Sequence, residues 1–427
     1  MGEGRGLTQL AVARLDGDRT DVAGFGDPLP SPDTPFELGS ITKVFVGHVL
    51  ADAVARGDVA LDDPLETYLP ELAGTPAGGV TLVSLATHTS GLPRLPEGVG
   101  GLRSALSPRD PYPAWGVGQL TDAARAAALE RPGTEAYSNL GMALLGHALA
   151  RAAEAPTWAA LAEERLFAPL GMTATVTVAR PADELPGLAQ PHWVNGRAAE
   201  PWTGEAFAPA GSSTRTTARD LATFARAVLD GTAPGMDAAR LVTGELTSGN
   251  GLGWAFGTAD APLLWHNGGT GGTRTMLTID RESGRAALAL ATTDDGVESI
   301  ATHLVLDTRE PAWRAEIGRF GLVALVVGGA LLLSCLLGLR RPPTKVAAAS
   351  TVIDAGLGMV LLALLGPWHW LPGGVIGALL GAFVGAPALT LGRAARAPWL
   401  PASHASGAIA TLAVSVLLAA AAVFLLV

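Results

Sequence analysis

Ser40-Ile41-Thr42-Lys43 places a serine hydroxyl three residues before one of only two lysines in this 427-residue chain. The other 27 basic residues are arginines, and the second lysine, Lys345, lies in a polar gap between apolar segments. Arginine stays protonated in proteins, whereas a desolvated lysine can lose its proton and act as a base. A lysine at position 43, in a chain that otherwise uses arginine, therefore indicates base chemistry. Lys43 lies one helical turn from the Ser40 hydroxyl, which it could activate.

The residues that follow Ser40 have the spacing of a helix. Apolar side chains recur there at helical intervals: Ile41, Val44, Phe45, Val49 and Leu50. Gly57 is a suitable C-terminal stop, so we predict a helix that opens at Ser40. The free N–H groups at its N-terminus would favour negative charge on the serine oxygen. Upstream, residues 7–15 and 20–25 alternate as strands and predict a hairpin.

Tyr137-Ser138-Asn139 follows a Pro-Gly loop and precedes a helical pattern over residues 140–153. Two interpretations are open. In the first, Asn139 is a helix N-cap and Tyr137 a packing aromatic; in the second, both side chains face a cleft. The tripeptide alone favours the first interpretation, although the chain has only three tyrosines.

His266-Asn267-Gly268-Gly269 precedes a predicted hairpin of residues 274–280 and 285–292. Glycines at the entrance of a strand let a ligand approach the backbone closely, so His266 is expected to face a cleft. The segment lacks the lysine and the strand-loop-helix order of a phosphate loop, and no dinucleotide fingerprint fits.

The composition excludes several function classes. Residues 1–318 hold 38 of the 39 acidic residues but only 23 of the 29 basic ones, which is unlike a nucleic-acid-binding domain. The single cysteine, Cys335, allows no intrachain disulfide. The eight histidines have no metal-ligand spacing, so no metal site is expected.

In this order and at these separations, the three motifs resemble the serine β-lactamase and penicillin-binding-protein superfamily, specifically its class C-like branch. Ser40 to Lys43 matches the Ser-x-x-Lys element, and Tyr137 to Asn139 matches Tyr-x-Asn. His266 to Gly268 matches the His-x-Gly variant of the Lys-Thr-Gly element. The connecting sequence adds Leu61-Asp62-Asp63-Pro64 with Tyr68-Leu69-Pro70, His88-Thr89-Ser90-Gly91-Leu92-Pro93, Pro169-Leu170-Gly171-Met172 and the segment Ala210–Leu221. The resemblance covers roughly residues 7–300.

The resemblance implies an α+β fold with two lobes, an antiparallel sheet flanked by helices and an all-α lobe. Residues 1–310 would form this domain, with the sheet lobe at about 1–50 and 205–310 and the helical lobe at about 51–204. It also implies an acyl-enzyme on Ser40, with Lys43 and Tyr137 sharing the proton transfers; which of the two is the resting base stays open. Neither a cofactor nor a metal is implied.

The resemblance assigns the substrate contacts as well. Asn139 would orient the substrate amide and the lysine, and the N–H groups of Ser40 and of Gly269, after Gly268, would bind the oxyanion. His266 stands where many relatives carry a cation for a carboxylate, and a histidine of ordinary pKa is mostly neutral at pH 7. Arg274 is a candidate substitute for that cation.

This motif set is similar to D-alanyl-D-alanine carboxypeptidases, D-amino-acid peptidases and esterases. We therefore expect a serine hydrolase of small-molecule or peptidoglycan-type substrates: D-amino-acid peptides, esters or amides. A true β-lactamase is one alternative, and a penicillin- or peptidoglycan-fragment-binding sensor with little turnover is another. A transporter-like bundle with an accessory domain is disfavoured because its apolar segments contain a single acid, Asp354.

The C-terminal quarter predicts four transmembrane helices, at about residues 320–339, 346–365, 371–391 and 406–427. Arg340, Arg341 and Lys345 follow the first segment, and Arg393 and Arg396 follow the third. The positive-inside rule then predicts a multi-pass bacterial membrane protein whose catalytic domain lies outside the cytoplasm. Asp354, within the second segment, is interpreted as a hydrogen-bonded packing residue, with a ligand site as the alternative.

That topology requires an export signal; without one, either the domain is cytoplasmic or the sequence begins downstream of its natural start. The first six residues, Met1-Gly2-Glu3-Gly4-Arg5-Gly6, contain no apolar signal core. The resemblance also leads us to expect a helix before the first strand. We therefore expect that the natural start lies upstream of Met1.

Overall fold

A seven-stranded antiparallel sheet is the main layer of the protein, in the order β2-β1-β10-β9-β8-β7-β6. The computed structural model describes residues 8–99, 107–193, 196–240, 242–244, 249–258, 261–308, 319–339, 344–365 and 373–399. A small sheet has the order β3-β5-β4. In chain order the strands are β1 Gln9–Asp16, β2 Arg19–Gly26, β3 Phe36–Glu37, β4 Val176–Thr177, β5 Thr214–Thr216, β6 Gly249–Asn250, β7 Ala255–Thr258, β8 Ala261–Gly269, β9 Arg274–Asp280 and β10 Arg285–Ala291.

Helices cover both faces of the main sheet and form a separate cluster between β3 and β5. In chain order they are α1 Thr42–Arg56, α2 Leu82–Ala86, α3 Val117–Ala126, α4 Asn139–Ala152, α5 Trp158–Ala162, α6 Ala168–Leu170, α7 Ala218–Leu229, α8 Glu298–Leu306, α9 Arg319–Gly338, α10 Lys345–Leu365 and α11 Gly373–Ala394. Short 3-10 turns at Gly39–Ile41 and Ala208–Ala210 lie beside the site described below.

The central strand β10 is apolar on both faces because both faces are covered. Leu288 and Leu290 point into the larger core, on the side where α7 packs. Ala287 and Ala289 point into a smaller core beneath α8. A leucine buried in this way stabilises the fold by about 2 kcal/mol.

The predicted hairpins are confirmed. β1 pairs antiparallel with β2, and β9 with β10. The helix after the serine differs from the prediction at its start, since Ser40 lies in the 3-10 turn Gly39–Ile41 and α1 begins at Thr42. Gly57 ends α1 in the left-handed conformation, φ 80°, as its position in the sequence predicts.

The C-terminal helices α9, α10 and α11 correspond to the first three predicted transmembrane segments and pack on one another. Of the residues that the structure describes, only Gly377–Ala394, within α11, is long and apolar enough to cross a membrane, by length and composition alone. The predicted four-helix membrane bundle is therefore not established. The fourth predicted segment, residues 406–427, lies outside the described residues.

Asp354 of α10 is 5% exposed and accepts a hydrogen bond from Ser334 Oγ of α9 at 2.8 Å. This contact agrees with the packing interpretation of that residue.

Candidate active site

The 3-10 turn at Gly39–Ile41 presents Ser40 between α1 and strand β8. Gly39 has φ +63°, and a side chain there would collide with the backbone nitrogen of Gly269. A side chain at Gly268 would meet Leu38 O, Thr275 Oγ1 and the Ser40 nitrogen. Glycine at both positions therefore lets β8 approach the serine turn closely. This approach brings the backbone N–H groups of Ser40 and Gly269 near each other.

Lys43 is fully buried, and its Nζ lies 2.9 Å from Ser40 Oγ. The same nitrogen donates to the Ala210 carbonyl at 2.5 Å. Burial lowers the pKa of Lys43 well below 10.5, and the Arg94 guanidinium lowers it further. A neutral amine held by Ala210 can direct its lone pair at the serine proton.

Tyr137 lies against the same pair. Lys43 Nζ is 4.9 Å from the centroid of its ring, and the phenol is hydrogen-bonded to Ser40. Burial raises the pKa of Tyr137 to about 12, although the Ser40 hydrogen bond and Arg94 act to lower it. The phenol is therefore protonated at neutral pH, and Lys43 is the better candidate for the resting base.

Ser138, and not Asn139, caps helix α4. Ser138 Oγ accepts from Gly141 N at 2.9 Å, and Asn139 is the first residue of the helix. The N-cap interpretation of Asn139 is therefore wrong. Its buried Oδ1 has no hydrogen-bond partner in the structure, and Asn139 lines a cavity beside Ser40. Because Asn139 lines the cavity and its Oδ1 is unpaired, this side chain is a candidate partner for a substrate N–H group.

That cavity, the arginine-lined cavity, has a volume of about 290 Å³. It contacts Ser40, Asn139 and Gly269 and extends past three arginines and one acid: Arg94, Arg109, Arg274 and Asp294. Arg274 is thus placed beside the cavity, where it donates to the Thr270 carbonyl at 2.8 Å.

His266 is 7% exposed, and its ring lies 6.5 Å from that of Tyr137. Its Nδ1 is 2.6 Å from the Asn267 carbonyl, so Nδ1 carries the proton and Nε2 is left as an acceptor. Burial, and next the charge of Lys43, lower the pKa of His266 to about 4. His266 is therefore neutral at pH 7 and provides no cation for a carboxylate.

Glu37, three residues before Ser40, is fully buried and holds the turn that follows Gly269. Its carboxylate accepts from Thr270 Oγ1 at 2.6 Å, Thr273 Oγ1 at 3.1 Å and Trp202 N at 2.7 Å. Arg215 lies 3.7 Å away and is itself paired with Glu184. Burial raises the pKa of Glu37, opposed by the charge of Arg215.

Four residues of the site were not singled out from the sequence. The Arg94 guanidinium carbon lies 5.1 Å from the centroid of the Tyr137 ring, and the His88 ring lies 4.5 Å from it. Ala210 binds Lys43, and Glu37 holds the turn after Gly269. His88 and Ala210 lie in segments that carry the family resemblance, which was the available signal; no local pattern marks Arg94 or Glu37.

Comparison with known families shows the family to which the chain belongs. The Beta-lactamase family model matches residues 3–309. The chain belongs to this family of serine hydrolases. The mixed α+β fold with an antiparallel sheet is that of the family as well.

Two curated relatives cover part of the chain. D-alanyl-D-alanine-carboxypeptidase/endopeptidase AmpH of Escherichia coli is 35% identical over 188 residues, 42% of this chain and 47% of the relative. Esterase EstB of Burkholderia gladioli is 36% identical over 151 residues, 33% of this chain and 38% of the esterase. The chain spans less than half the length of the curated relatives it matches.

Solved structures share the fold. A class C β-lactamase from Rhodobacter sphaeroides has a TM-score of 0.60 at 24% identity, over 71% of this chain and 95% of its own. A β-lactamase/D-alanine carboxypeptidase from Yersinia pestis, complexed with citrate, has a TM-score of 0.55 at 25% identity. The latter match covers 68% of this chain and 89% of that structure.

Proposed function

We propose that the protein hydrolyses D-amino-acid peptides, esters or amides through an acyl-enzyme on Ser40. The observation that carries this proposal is the contact of 2.9 Å between Lys43 Nζ and Ser40 Oγ inside a buried site. Burial lowers the pKa of Lys43 and so favours the neutral amine that can take the serine proton, and no other described side chain that contacts Ser40 has a pKa shifted toward that role.

In the proposed acylation, Ser40 Oγ bonds to the substrate carbonyl carbon while its proton moves to Lys43. The oxyanion accepts hydrogen bonds from the N–H groups of Ser40 and Gly269. The bond to the leaving group then breaks, and the protonated Tyr137 phenol donates to the departing atom. The proton on Lys43 restores the phenol, and water releases the acyl group by the same steps in reverse order.

The arginine-lined cavity would hold the acyl part of the substrate. Asn139 Oδ1 would accept a substrate N–H, which suits an acylated amino acid. Arg94, Arg109 and Arg274 line the same cavity and would attract an anionic group on that part. The names of the AmpH and EstB relatives, a carboxypeptidase/endopeptidase and an esterase, agree with this substrate range.

Hydrolysis of a substrate panel tests the proposal. Purified protein would be given D-Ala-D-Ala peptides, short acyl esters and cephalosporins, with Ser40→Ala as the matched control. We expect turnover of at least one peptide or ester and at least 1,000-fold less with Ser40→Ala, as seen on removal of such nucleophiles. Stable labelling by penicillin without turnover of any substrate would favour a penicillin-binding sensor over a hydrolase. Equal hydrolysis rates for wild type and Ser40→Ala would refute the role of Ser40.

We further propose that the C-terminal helices anchor the domain in the membrane, with the domain outside the cytoplasm. The two basic gaps support this orientation, because Arg393, in the last turn of α11, donates to the carbonyl of Leu339, which directly follows α9. Lys345 at the start of α10 lies 4.9 Å from the Trp399 ring, beyond the end of α11. Both gaps thus lie at one end of the helix cluster, as the positive-inside rule requires.

Reporter fusions test this orientation. A reporter fused after residue 318 is expected to be active only outside the cytoplasm. A cytoplasmic signal at that fusion would contradict the proposed orientation, and recovery of the whole chain in the soluble fraction would contradict the anchoring.

A further inference from the structure

A second cavity is lined by Tyr137 and shares no lining residue with the arginine-lined cavity. This aromatic-lined cavity has a volume of about 520 Å³. Its wall is formed by the tip of the sheet, with Trp254, Phe256 and Trp265, and by the helical lobe, with Ala86 and Glu135. Tyr137, His88 and His266 line its inner end.

The polar groups of the aromatic wall are already satisfied. Trp265 Nε1 donates to the Gly257 carbonyl at 2.6 Å, and Trp254 Nε1 donates to His48 Nε2 at 3.1 Å. Asn267 Nδ2 donates to Glu298 at 2.8 Å. These side-chain N–H groups are therefore engaged within the protein, and most of the residues that line the cavity are aromatic or small, which suits an apolar group.

The charge of this cavity differs from that of the arginine-lined cavity. Among the described residues that line it there is no lysine or arginine, and the exposed Glu135 is its one acid. Both histidines are neutral at pH 7, since burial lowers the pKa of His88 to about 3 and that of His266 to about 4. Arg94, which lies over the Tyr137 ring, lines the other cavity. A leaving group with a carboxylate would find no counter-charge here.

Tyr137 connects this cavity to the reaction. It lines the aromatic-lined cavity, while Asn139 and Gly269 line the arginine-lined one. In the proposed reaction the leaving atom must be near the phenol, so the leaving group points toward the aromatic wall and the acyl group away from it.

We infer that the aromatic-lined cavity binds the leaving group and selects an uncharged apolar alcohol or amine, such as a benzyl group. This inference rests on the proposed function and narrows its substrates to esters and amides over peptides that end in a free carboxylate. In the step, Ser40 Oγ bonds to the acyl carbon and the bond from that carbon to the leaving oxygen or nitrogen breaks. The bonding pair stays on the leaving atom, which takes the Tyr137 proton.

Benzyl and methyl esters of one N-acyl-D-amino acid test the inference, since they share an acyl group and differ in leaving-group size. We expect wild-type kcat/KM to be at least tenfold higher for the benzyl ester. Ala255, which lines the cavity opposite Trp265 in the β7–β8 register, would be changed to tryptophan to fill it. Ala255→Trp should reduce the benzyl-to-methyl ratio at least fivefold. Ala23→Trp, on exposed strand β2, is the matched control and should leave the ratio unchanged.

A binding measurement separates this inference from the proposed function. Benzyl alcohol titrated into Ser40→Ala protein and followed by ligand-observed NMR should bind, and at least fivefold more weakly when Ala255→Trp is added. Absence of binding, an unchanged affinity, or a preference for a D-Ala-D-Ala peptide over its benzyl ester would overturn the cavity assignment. Binding of benzyl alcohol in the cavity without any Ser40-dependent hydrolysis would support the cavity assignment and contradict the proposed hydrolase function.

Discussion

Lys43 is the residue on which the proposed chemistry depends most directly. Its amine is buried, lies close to Ser40 Oγ and is hydrogen-bonded to the Ala210 carbonyl, and burial lowers its pKa. Arginine at position 43 would keep its proton and would not fit the same site. We expect Lys43→Arg to reduce the rate of Ser40 labelling by a fluorophosphonate by about 1,000-fold or more. Circular dichroism would control for folding, and wild-type labelling by a folded Lys43→Arg protein would contradict the base assignment.

The pH dependence of kcat/KM follows from the same pKa values. The base must be unprotonated, so activity should rise with pH through the lowered pKa of Lys43 and reach its plateau well below pH 10.5. Tyr137, with its pKa raised to about 12, should give no falling limb below about pH 11.

His266→Asn provides the control for that profile. Because His266 titrates at about pH 4, the variant should keep the midpoint of the rising limb even if its rate falls. A rising limb near pH 6.5 that disappears in His266→Asn would assign the titration to the histidine and contradict the role of Lys43.

Single residues of the site were predictable to different degrees. Ser40, Lys43 and Tyr137 carry a motif, and the structure places them in contact, although their catalytic roles stay predictions. Arg94 and Glu37 carry none, because a lone arginine or glutamate has the same local pattern whether it is solvated or buried beside a site. Only the long-range packing that buries Glu37 against Thr270 distinguishes it.

At the scale of elements, strand β3 and the turn after β8 are coupled through Glu37. Glu37→Gln would keep the size of the side chain but remove the charge that binds two threonine hydroxyls and a backbone N–H. We expect the turn to shift and Gly269 N–H to lose its alignment, which would lower kcat about 100-fold with little change in KM.

Glu184→Gln is the matched control for Glu37→Gln. It removes the other carboxylate bound to Arg215 without touching the turn, so kcat should stay within threefold of wild type. Equal losses in both variants would show that charge balance on Arg215, and not the position of the turn, decides the effect.

Elements with a regular pattern were predicted well, and short ones were not. The strands of the β1–β2 and β9–β10 hairpins are seven or eight residues long and are separated by clear turn residues, so both hairpins were predictable. Strands β3, β4 and β5 have two or three residues each, too few to express a period of two. Ser40 in a 3-10 turn was also not predictable, since helix starts vary by a few residues on sequence grounds.

At the scale of the whole molecule, buried histidines should make stability depend on pH. Burial lowers the pKa of His48 and His266 to about 4 and that of His88 to about 3, from 6.5 in the unfolded chain. The unfolded chain therefore binds more protons below pH 6.5, so stability is present above that pH and is lost as pH falls toward 4. Each histidine contributes about 1.4 kcal/mol per pH unit within this window.

Thermal unfolding of the detergent-solubilised chain at pH 7 and pH 5 tests the predicted loss of stability at low pH. The melting temperature should be lower at pH 5, and His48→Gln, away from Ser40, should reduce the difference between the two pH values. Equal melting temperatures at both pH values would show that these histidines are charged in the folded protein.

The family resemblance predicted the fold class of the hydrolase domain because its motifs recur at fixed separations. The lobe boundaries and the multi-pass topology stay predictions. Apolar composition alone cannot distinguish helices that pack on each other from helices that face lipid, and only Gly377–Ala394 of the described helices meets the requirement for a span.

The most direct test of the account is the mass of the peptide that carries Ser40. Trypsin cleavage after Arg19 and Lys43 releases residues 20–43, which contain both Ser31 and Ser40. After incubation with a slowly hydrolysed ester and acid quenching, this peptide should gain the mass of the acyl group, with fragment ions placing it on Ser40. In Ser40→Ala the adduct should be absent. An adduct on another residue, or ester turnover by Ser40→Ala at the wild-type rate, would contradict the central claim.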